Sequence, residues 1–467
     1  MADSKAQTVE DSISLRAGLG FSALAVATFQ LAYSFPACSF LIAVYLWSLF
    51  QLTRLKTPRQ ASCFGLLVGM LAYGPQLNFF WTIFGPAAVT LWIVLAFWIL
   101  MFLILGRSCR VHFGKLQATL LIPFLWTGLE YFRSELYYLR FSWLNAGYVF
   151  SNNLTWLPLN VIGMYGMGFL LMAAIGGCAM LRAGQRLPAT VIIFASLAMI
   201  TNAPRINSPS IMDSPGGLQI AGVQMEFPSE SEVIVNLNKL VKAHPQAELL
   251  VLSEYTFDGP VPEKIVAWCR YNHRYLVAGG KDPASDSQYY NTIFVIAPSG
   301  EIIFKQGKCV PIQFFKDGLP AREQKLWDSP WGKIGFCVCY DLSYSRVTDQ
   351  LIRLGAQTII VPTMDVVDWG RHQHELHARV APVRSAEYGV PVFRLASSGI
   401  SQCVDATGCV LATAPMPGDA AMICGTLHLG KPGSLPWDRV LAPISAGVTC
   451  LTTAWFLGIC FWRRKNP

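Results

Sequence analysis

Long apolar runs fill the first 204 residues of this 467-residue chain, and they limit its fold more than any other feature. A helix needs about twenty apolar residues to cross the hydrocarbon of a bilayer. Seven runs before residue 204 approach that length, at roughly 17–34, 36–52, 62–81, 86–106, 116–132, 158–182 and 187–203. An eighth, about 440–462, lies near the other end. The 36–52 run is short enough to tilt or to lie partly in the interface. Acidic Asp3, Glu10 and Asp11 precede the first run, which is unlike a cleavable signal peptide, so that run is expected to remain as a span. The pattern predicts a multi-span α-helical membrane domain of about eight spans.

Lys and Arg in the short loops give an orientation. Arg54, Lys56 and Arg59 follow the second run, and Arg107, Arg110 and Lys115 follow the fourth. Arg182 and Arg186 follow the sixth, and Arg463, Arg464 and Lys465 follow the eighth. The loops after the first and third runs carry neither residue type. After the fifth, Arg133 and Arg140 are offset by Glu130 and Glu135. Cationic loops stay on the cytoplasmic side. The alternation therefore predicts both termini in the cytoplasm and the 204–438 segment on the outer face.

Charge density divides the chain in the same place. Charged residues make up 14% of the whole, against about one-quarter in an ordinary soluble domain. They are sparse before residue 200 and denser from 218 to 435, so a membrane part precedes a water-soluble part. The net charge of +8 does not indicate nucleic acid, because the basic residues form no patch with interleaved aromatics. Thirteen Cys, several of them inside apolar runs, show no spacing of a disulfide framework or a zinc site. No cofactor and no metal are expected.

Residues 205–217, rich in Pro, Gly and Ser, read as a linker. The expected organisation is a transmembrane domain over 1–204, the linker, a catalytic domain over 218–435 and a closing transmembrane helix over 440–462. Within the soluble part, strands are expected at 218–223, 249–253, 275–279, 292–297, 301–305, 333–338, 357–362, 391–395, 402–405 and 421–427. Helices are expected at 229–243, 262–271, 346–354 and 371–388, giving a mixed α/β content.

Three residues at strand ends make a chemical set. Glu254 ends LLVLSE, Lys308 follows the strand EIIF within KQGKCVP, and Cys339 ends KIGFCVCYD. A thiol needs a base to become a nucleophile, and a carboxylate in apolar surroundings can accept its proton. An ammonium nearby can stabilise the oxyanion of a tetrahedral intermediate. Glu, Lys and Cys therefore suffice for acyl transfer. Lys305 is a rival to Lys308. Cys337 reads as a core residue, on the same strand face as Cys339.

The segments LSEYTF, KQGKCVP and GFCVCYD, in that order, resemble the three signatures of the nitrilase superfamily. The resemblance implies a four-layer α-β-β-α sandwich and a triad of Glu254, Lys308 and Cys339. It continues through GAQTIIVPTMD, RSAEYGVP and RLASSGISQCVDATGCVL. The apolar half resembles one branch of that superfamily. Trp126, Glu130, Arg133, the run FSWLNAGY (141–148) and the run GMYGMGFL (163–170) look like the membrane region of apolipoprotein N-acyltransferases. Eight spans with an outward catalytic domain also fit that family.

The resemblance implies an enzyme of a bacterial inner membrane that works through a thioester on the Cys. It would move an acyl chain from a phospholipid to the N-terminal amine of a diacylglyceryl-Cys lipoprotein. The alternative is a membrane-tethered amidase or nitrilase, in which water takes the acyl group. The expected substrate-binding residues are Tyr340, Asp341, Trp143, Glu130 and Arg133. Two departures stand out. The glutamate expected eight residues after the lysine is Lys316, with Asp317 next to it, and the acid two residues after the Cys is Asp341 where Glu is commoner.

Two further groups have simpler readings. His372, His374 and His377 do not have a standard zinc spacing and read as helix-surface or structural histidines. Glu130 and Arg133, three apart, can pair on one helix face or line a headgroup site.

Overall fold

The computed structural model describes residues 12–465, apart from 153, 155–156, 203–216, 286 and 419. The expected linker lies outside the described residues except for Gly217. The chain forms two compact units. One comprises 1–153, 157–204 and 436–467, and the other comprises 154–156 and 205–435.

The first unit is helical. Among the described residues, four helices are long and apolar enough to cross a membrane: Leu15–Ser34, Ala87–His112, Leu159–Arg182 and Asp438–Trp462. The remaining apolar runs form shorter or more polar helices, and each has a local cause. Run 36–52 opens with a 3-10 turn, Pro36–Leu41, which leaves an α-helix of 11 residues, Ile42–Leu52. Run 62–81 belongs to Pro58–Gln76, which starts earlier in a Thr57–Gln60 capping box, and to a separate turn of helix, Phe79–Phe84. Lys115–Tyr131 carries Pro123 within it and Glu130 near its end. Arg186–Asn202 is the last helix before the linker.

Small residues let these helices meet. Gly65 and Gly69 are four apart and face Leu100 and Ala96 of helix Ala87–His112, and a Cβ on Gly69 would lie 2.5 Å from the Ala96 Cα. Close backbone approach of this kind drives helix association where lipid removes the hydrophobic incentive. Gly163 has φ +70° and breaks the regular path of Leu159–Arg182. The Asp438 carboxylate occupies the space a side chain there would need, and its Oδ2 accepts from the Tyr165 N–H at 2.9 Å.

The second unit has twelve strands: β1 Leu218–Val223, β2 Leu249–Val251, β3 Tyr275–Ser285, β4 Gln288–Ile296, β5 Ile302–Gly307, β6 Leu326–Ser329, β7 Gly332–Phe336, β8 Thr358–Thr363, β9 Val392–Ala396, β10 Ser401–Val404, β11 Val410–Ala414 and β12 Met422–Leu427. They form two six-stranded sheets, ordered β12-β1-β2-β3-β4-β5 and β11-β10-β9-β8-β7-β6. In each sheet three consecutive strands run parallel, β1-β2-β3 and β7-β8-β9. Parallel neighbours require crossovers, and helices supply them.

Helices Glu230–Ala243 and Glu263–Asn272 cover the outer face of the first sheet. Val233, Leu237, Leu240, Ile265 and Trp268 pack there with Ala221, Leu250, Leu276 and Phe294. Helices Ser345–Leu354, Arg371–Ala378 and Val380–Tyr388 serve the second sheet. Side chains interlock between the sheets, as where Phe304 meets Phe336 with ring centroids 5.5 Å apart. The result is the nitrilase-type α/β fold. The single helix expected over 371–388 is two, divided at Arg379. The ring of Pro382 is incompatible with the carbonyl four residues earlier, and Ala378 is where the first helix stops.

Candidate active site

The two parallel triplets explain why chemistry gathers where it does. Side chains just beyond the ends of such strands lie on loops held by a rigid sheet. Glu254 follows β2, and Cys339 follows β7. Lys308 comes directly after β5, in the same sheet as β2.

Lys308 Nζ lies 2.9 Å from Glu254 Oε1 and 2.7 Å from Asp317 Oδ2. Both the lysine and the glutamate side chains are 1% exposed. Asn291 Nδ2 donates to Glu254 Oε1 at 2.6 Å and to Asp317 Oδ1 at 2.8 Å, so the amide ties the two carboxylates together. Asp317 also accepts from the Tyr255 hydroxyl at 2.9 Å and from the Ile312 N–H at 2.8 Å. The rival Lys305 is elsewhere. It points from β5 to the surface, where it bonds both oxygens of Asp282 at 3.0 Å.

Cys339 is buried and has φ +52°. A non-glycine residue in the left-handed region is held there by its surroundings and recurs at functional sites. The strand reading of Cys337 and Cys339 as neighbours on one face therefore fails. β7 ends at Phe336, and Cys339 opens a 3-10 turn, Cys339–Ser343. The Met364 peptide, at the end of β8, meets both partners. Its N–H donates to Glu254 Oε2 at 2.7 Å, and its carbonyl accepts from the Cys339 thiol at 3.7 Å.

Charge in this enclosure is strongly perturbed. Burial pushes the Glu254 carboxyl above its ordinary range, and Asp317 adds to that, while Lys308 opposes it. Burial alone would lower the Lys308 ammonium, but Asp317 and Glu254 outweigh it and hold the proton well above the usual lysine range. The Cys339 thiol is pushed well up by burial and then by Glu254, with Lys308 pulling the other way. Electrostatic coupling thus links all three groups. The arrangement suits a neutral thiol that gives its proton to Glu254 as it attacks, beside an ammonium that stays charged.

Asp341 is fully buried and serves backbone groups. Its carboxylate accepts from the N–H groups of Cys309 (3.0 Å), Val310 (2.8 Å) and Val338 (3.3 Å). It thereby ties the loop after Lys308 to the loop before Cys339. Burial raises its carboxyl to about 6, against the pull of Lys308 and those N–H donors. Tyr340 is buried and packs edge-on against Tyr344, with centroids 5.0 Å apart.

The histidine stretch is not a surface feature at two of its three positions. His374 and His377 are buried. His377 Nδ1 lies 2.8 Å from Asp365 Oδ1, and Arg394 Nη2 lies 2.5 Å from Asp365 Oδ2. Burial disfavours an Asp365 charge, but His377 and Arg394 reverse that and hold the carboxyl well below its usual range. The network fixes the residue next to Met364.

The other expected binding residues belong to the helical unit and form their own cluster. Glu130 and Arg133 are both buried and line one small cavity, but among the described residues no direct ion pair joins them as the i, i+3 spacing suggests. Helix Lys115–Tyr131 gives way to a π turn, Phe132–Leu136, which contains the arginine. Glu130 Oε1 accepts from the Ala146 N–H at 2.8 Å. Arg133 donates to the Tyr73 hydroxyl at 2.9 Å and to the Asn145 side chain. Trp143 is buried against Phe141, with centroids 5.3 Å apart.

Sequence reading missed Asn291 and the Met364 backbone, and named Asp317 only as the neighbour of the unexpected Lys316. The signal for Asp317 was present, displaced by one residue from the acid expected at 316. Asn291 had no signal beyond being a polar residue in an apolar strand, and a peptide N–H has none.

Comparison with known proteins adds to this geometry. The family described as the apolipoprotein N-acyltransferase N-terminal domain matches residues 21–178, and the carbon-nitrogen hydrolase family matches 220–429. An apolipoprotein N-acyltransferase of Geobacter metallireducens is 23% identical over 461 residues, covering 86% of this chain and 88% of that protein. One from Brucella melitensis is 26% identical over 419 residues, covering 78% and 75%. An omega-amidase of Mus musculus is 25% identical over 141 residues, which is 28% of this chain and 51% of that protein.

Proposed function

We propose, for a chain that belongs to the apolipoprotein N-acyltransferase family of the nitrilase superfamily, that Cys339, Glu254 and Lys308 carry out lipoprotein N-acylation in two steps. In the first, the Cys339 sulfur attacks an ester carbonyl of a phospholipid while Glu254 takes the thiol proton. The carbonyl oxygen becomes an oxyanion that Lys308 stabilises. The C–O bond breaks, Glu254 returns the proton to the departing oxygen, and a lysophospholipid leaves an acyl thioester on Cys339. In the second step the N-terminal amine of a diacylglyceryl-Cys lipoprotein attacks that thioester. Glu254 takes a proton from the amine and passes it to the departing sulfur, which leaves an amide and a free thiol.

The observation that carries the residue assignment is the enclosed Glu254–Lys308 pair beside a strained Cys339. The acceptor is carried by the family match over the helical part, which an amidase reading leaves without a use. Asp317 holds Lys308 from its other side, and Asp341 positions the two loops. Further parts of the reading rest on the sequence. These are about eight spans, a bacterial inner membrane and an outward catalytic unit, with Tyr340, Trp143, Glu130 and Arg133 toward the lipid substrates. The test is mass spectrometry of lipoprotein N-termini in cells with and without this protein. N-acylated termini that vanish on its removal support the assignment, and unchanged termini overturn it.

A further inference from the structure

A basic cavity of about 340 Å³ opens among the helices of the first unit. Arg54, Arg110, Lys115 and Arg182 line it, and none of its lining residues among those described is Asp or Glu. The four cations come from four segments. Arg54 follows Ile42–Leu52, Arg110 lies in the last turn of Ala87–His112, Lys115 begins Lys115–Tyr131, and Arg182 ends Leu159–Arg182. Two are held in place by neighbours. Arg54 donates to Gln51 Oε1 at 2.8 Å. Arg110 donates to Thr53 Oγ1 at 2.7 Å and stacks over Phe50, 4.6 Å from the ring centroid.

A second cavity, of about 240 Å³, adjoins the first. The two share Thr119 and Met180. Its walls include Pro123, Phe124, Phe169, Leu170 and Ala173, and no ionisable side chain lines it. Four cations gathered around one cavity favour an anion, and arginine forks suit phosphate oxygens. An apolar pocket continuing from the cation cluster suits a hydrocarbon chain.

We propose that this pair of cavities binds an anionic phospholipid, with its phosphate headgroup among Arg54, Arg110, Lys115 and Arg182 and an acyl chain in the apolar pocket. Basic pockets between membrane helices on the cytoplasmic side are read as anionic-headgroup sites on general grounds. Here the contiguous apolar pocket favours a lipid over free phosphate, because a free anion has no use for it. None of its lining residues is among Tyr340, Trp143, Glu130 and Arg133, which the proposed reaction turns toward its lipid substrates, so it is a second lipid site.

The test uses the full chain in detergent, with native mass spectrometry of bound lipid. The probes are phosphatidylglycerol, phosphatidylcholine with the same chains, and inorganic phosphate. Lys115 and Arg182 are both exposed, so the K115Q/R182Q variant keeps the fold. Each single variant is read on the same scale if the double variant does not purify. The wild type should retain phosphatidylglycerol at least tenfold over phosphatidylcholine, and K115Q/R182Q should reduce that preference at least fivefold. A173W, which fills the apolar pocket, should weaken phosphatidylglycerol retention without changing the thermal shift produced by inorganic phosphate. Equal retention of the two lipids, or an unchanged preference in K115Q/R182Q, overturns the proposal. Displacement of the lipid by phosphate together with an inert A173W overturns it in favour of a free-anion site.

Discussion

Lys308 Nζ and Glu254 Oε1 stand 2.9 Å apart with both side chains removed from water, so the fold itself holds the candidate base against the candidate oxyanion donor. Preorganised charge of this kind costs no rearrangement at the moment of reaction.

The lysine is therefore specific to its position. Lys308→Met should lower turnover on the order of a hundredfold or more, the usual cost of losing one oxyanion donor. Lys305→Met should change it by less than about threefold, since an exposed pair such as Lys305–Asp282 contributes little. Steady-state acyl transfer by the two purified variants compares them directly. An inactive Lys305→Met beside an active Lys308→Met would reverse the assignment.

The two close cysteines should separate just as sharply. Cys339→Ala should abolish both product and the acyl-enzyme mass increment, because the thioester has nowhere to form. Cys337→Ala should leave both intact. Its thiol is fully buried, and burial pushes it well above its ordinary range, as for an inert core cysteine. Intact-protein mass spectrometry after incubation with phospholipid reads the difference.

Acid should silence the enzyme earlier than it would with an ordinary carboxylate base. The proposed base, Glu254, can take a proton only when unprotonated, and burial with help from Asp317 raises its carboxyl. The low-pH limb of kcat/KM should therefore lie above the unperturbed glutamate value of about 4.3. Asp317→Asn removes a negative neighbour that favours the protonated form, so its limb should move to lower pH. A pH–rate profile of wild type and variant tests the sign, and an upward shift in Asp317→Asn would contradict it.

Exposed thiols give a test of orientation. Cys409 is exposed in the catalytic unit, and Lys56 lies in a loop with Arg54 and Arg59. A membrane-impermeant maleimide applied to cells with a permeabilised outer layer should label Cys409. In a Cys409→Ser background it should not label a Lys56→Cys variant until the cells are lysed. The opposite pattern would invert the topology.

Strand positions in the catalytic unit were readable because buried strands are continuous apolar runs, as in LLV of β2 and TIIV of β8. β6 and β11 were not readable, for a shared reason. Each is the end strand of the second sheet, and β11 is exposed along most of its length, so no burial pattern shapes its residues. In the helical unit the apolar runs located helices, but among the described residues length and composition qualify four as spans, because composition does not show where Pro36 tightens the chain or where a capping box starts a helix early. At the site, the side chains that carry charge were legible from their motifs. Their geometry was not, since it depends on Asn291 and on a main-chain group.

That main-chain group has a consequence for how the enzyme can diverge. The Met364 peptide measures the separation between Glu254 and Cys339 with its own N–H and C=O. No exchange of side chain at position 364 removes either atom, save proline, which lacks the N–H. The spacing of base and nucleophile is thus encoded in the path of β8 and is insulated from mutation at the residue that sets it. Residue 364 can therefore vary in size and polarity without removing either hydrogen bond.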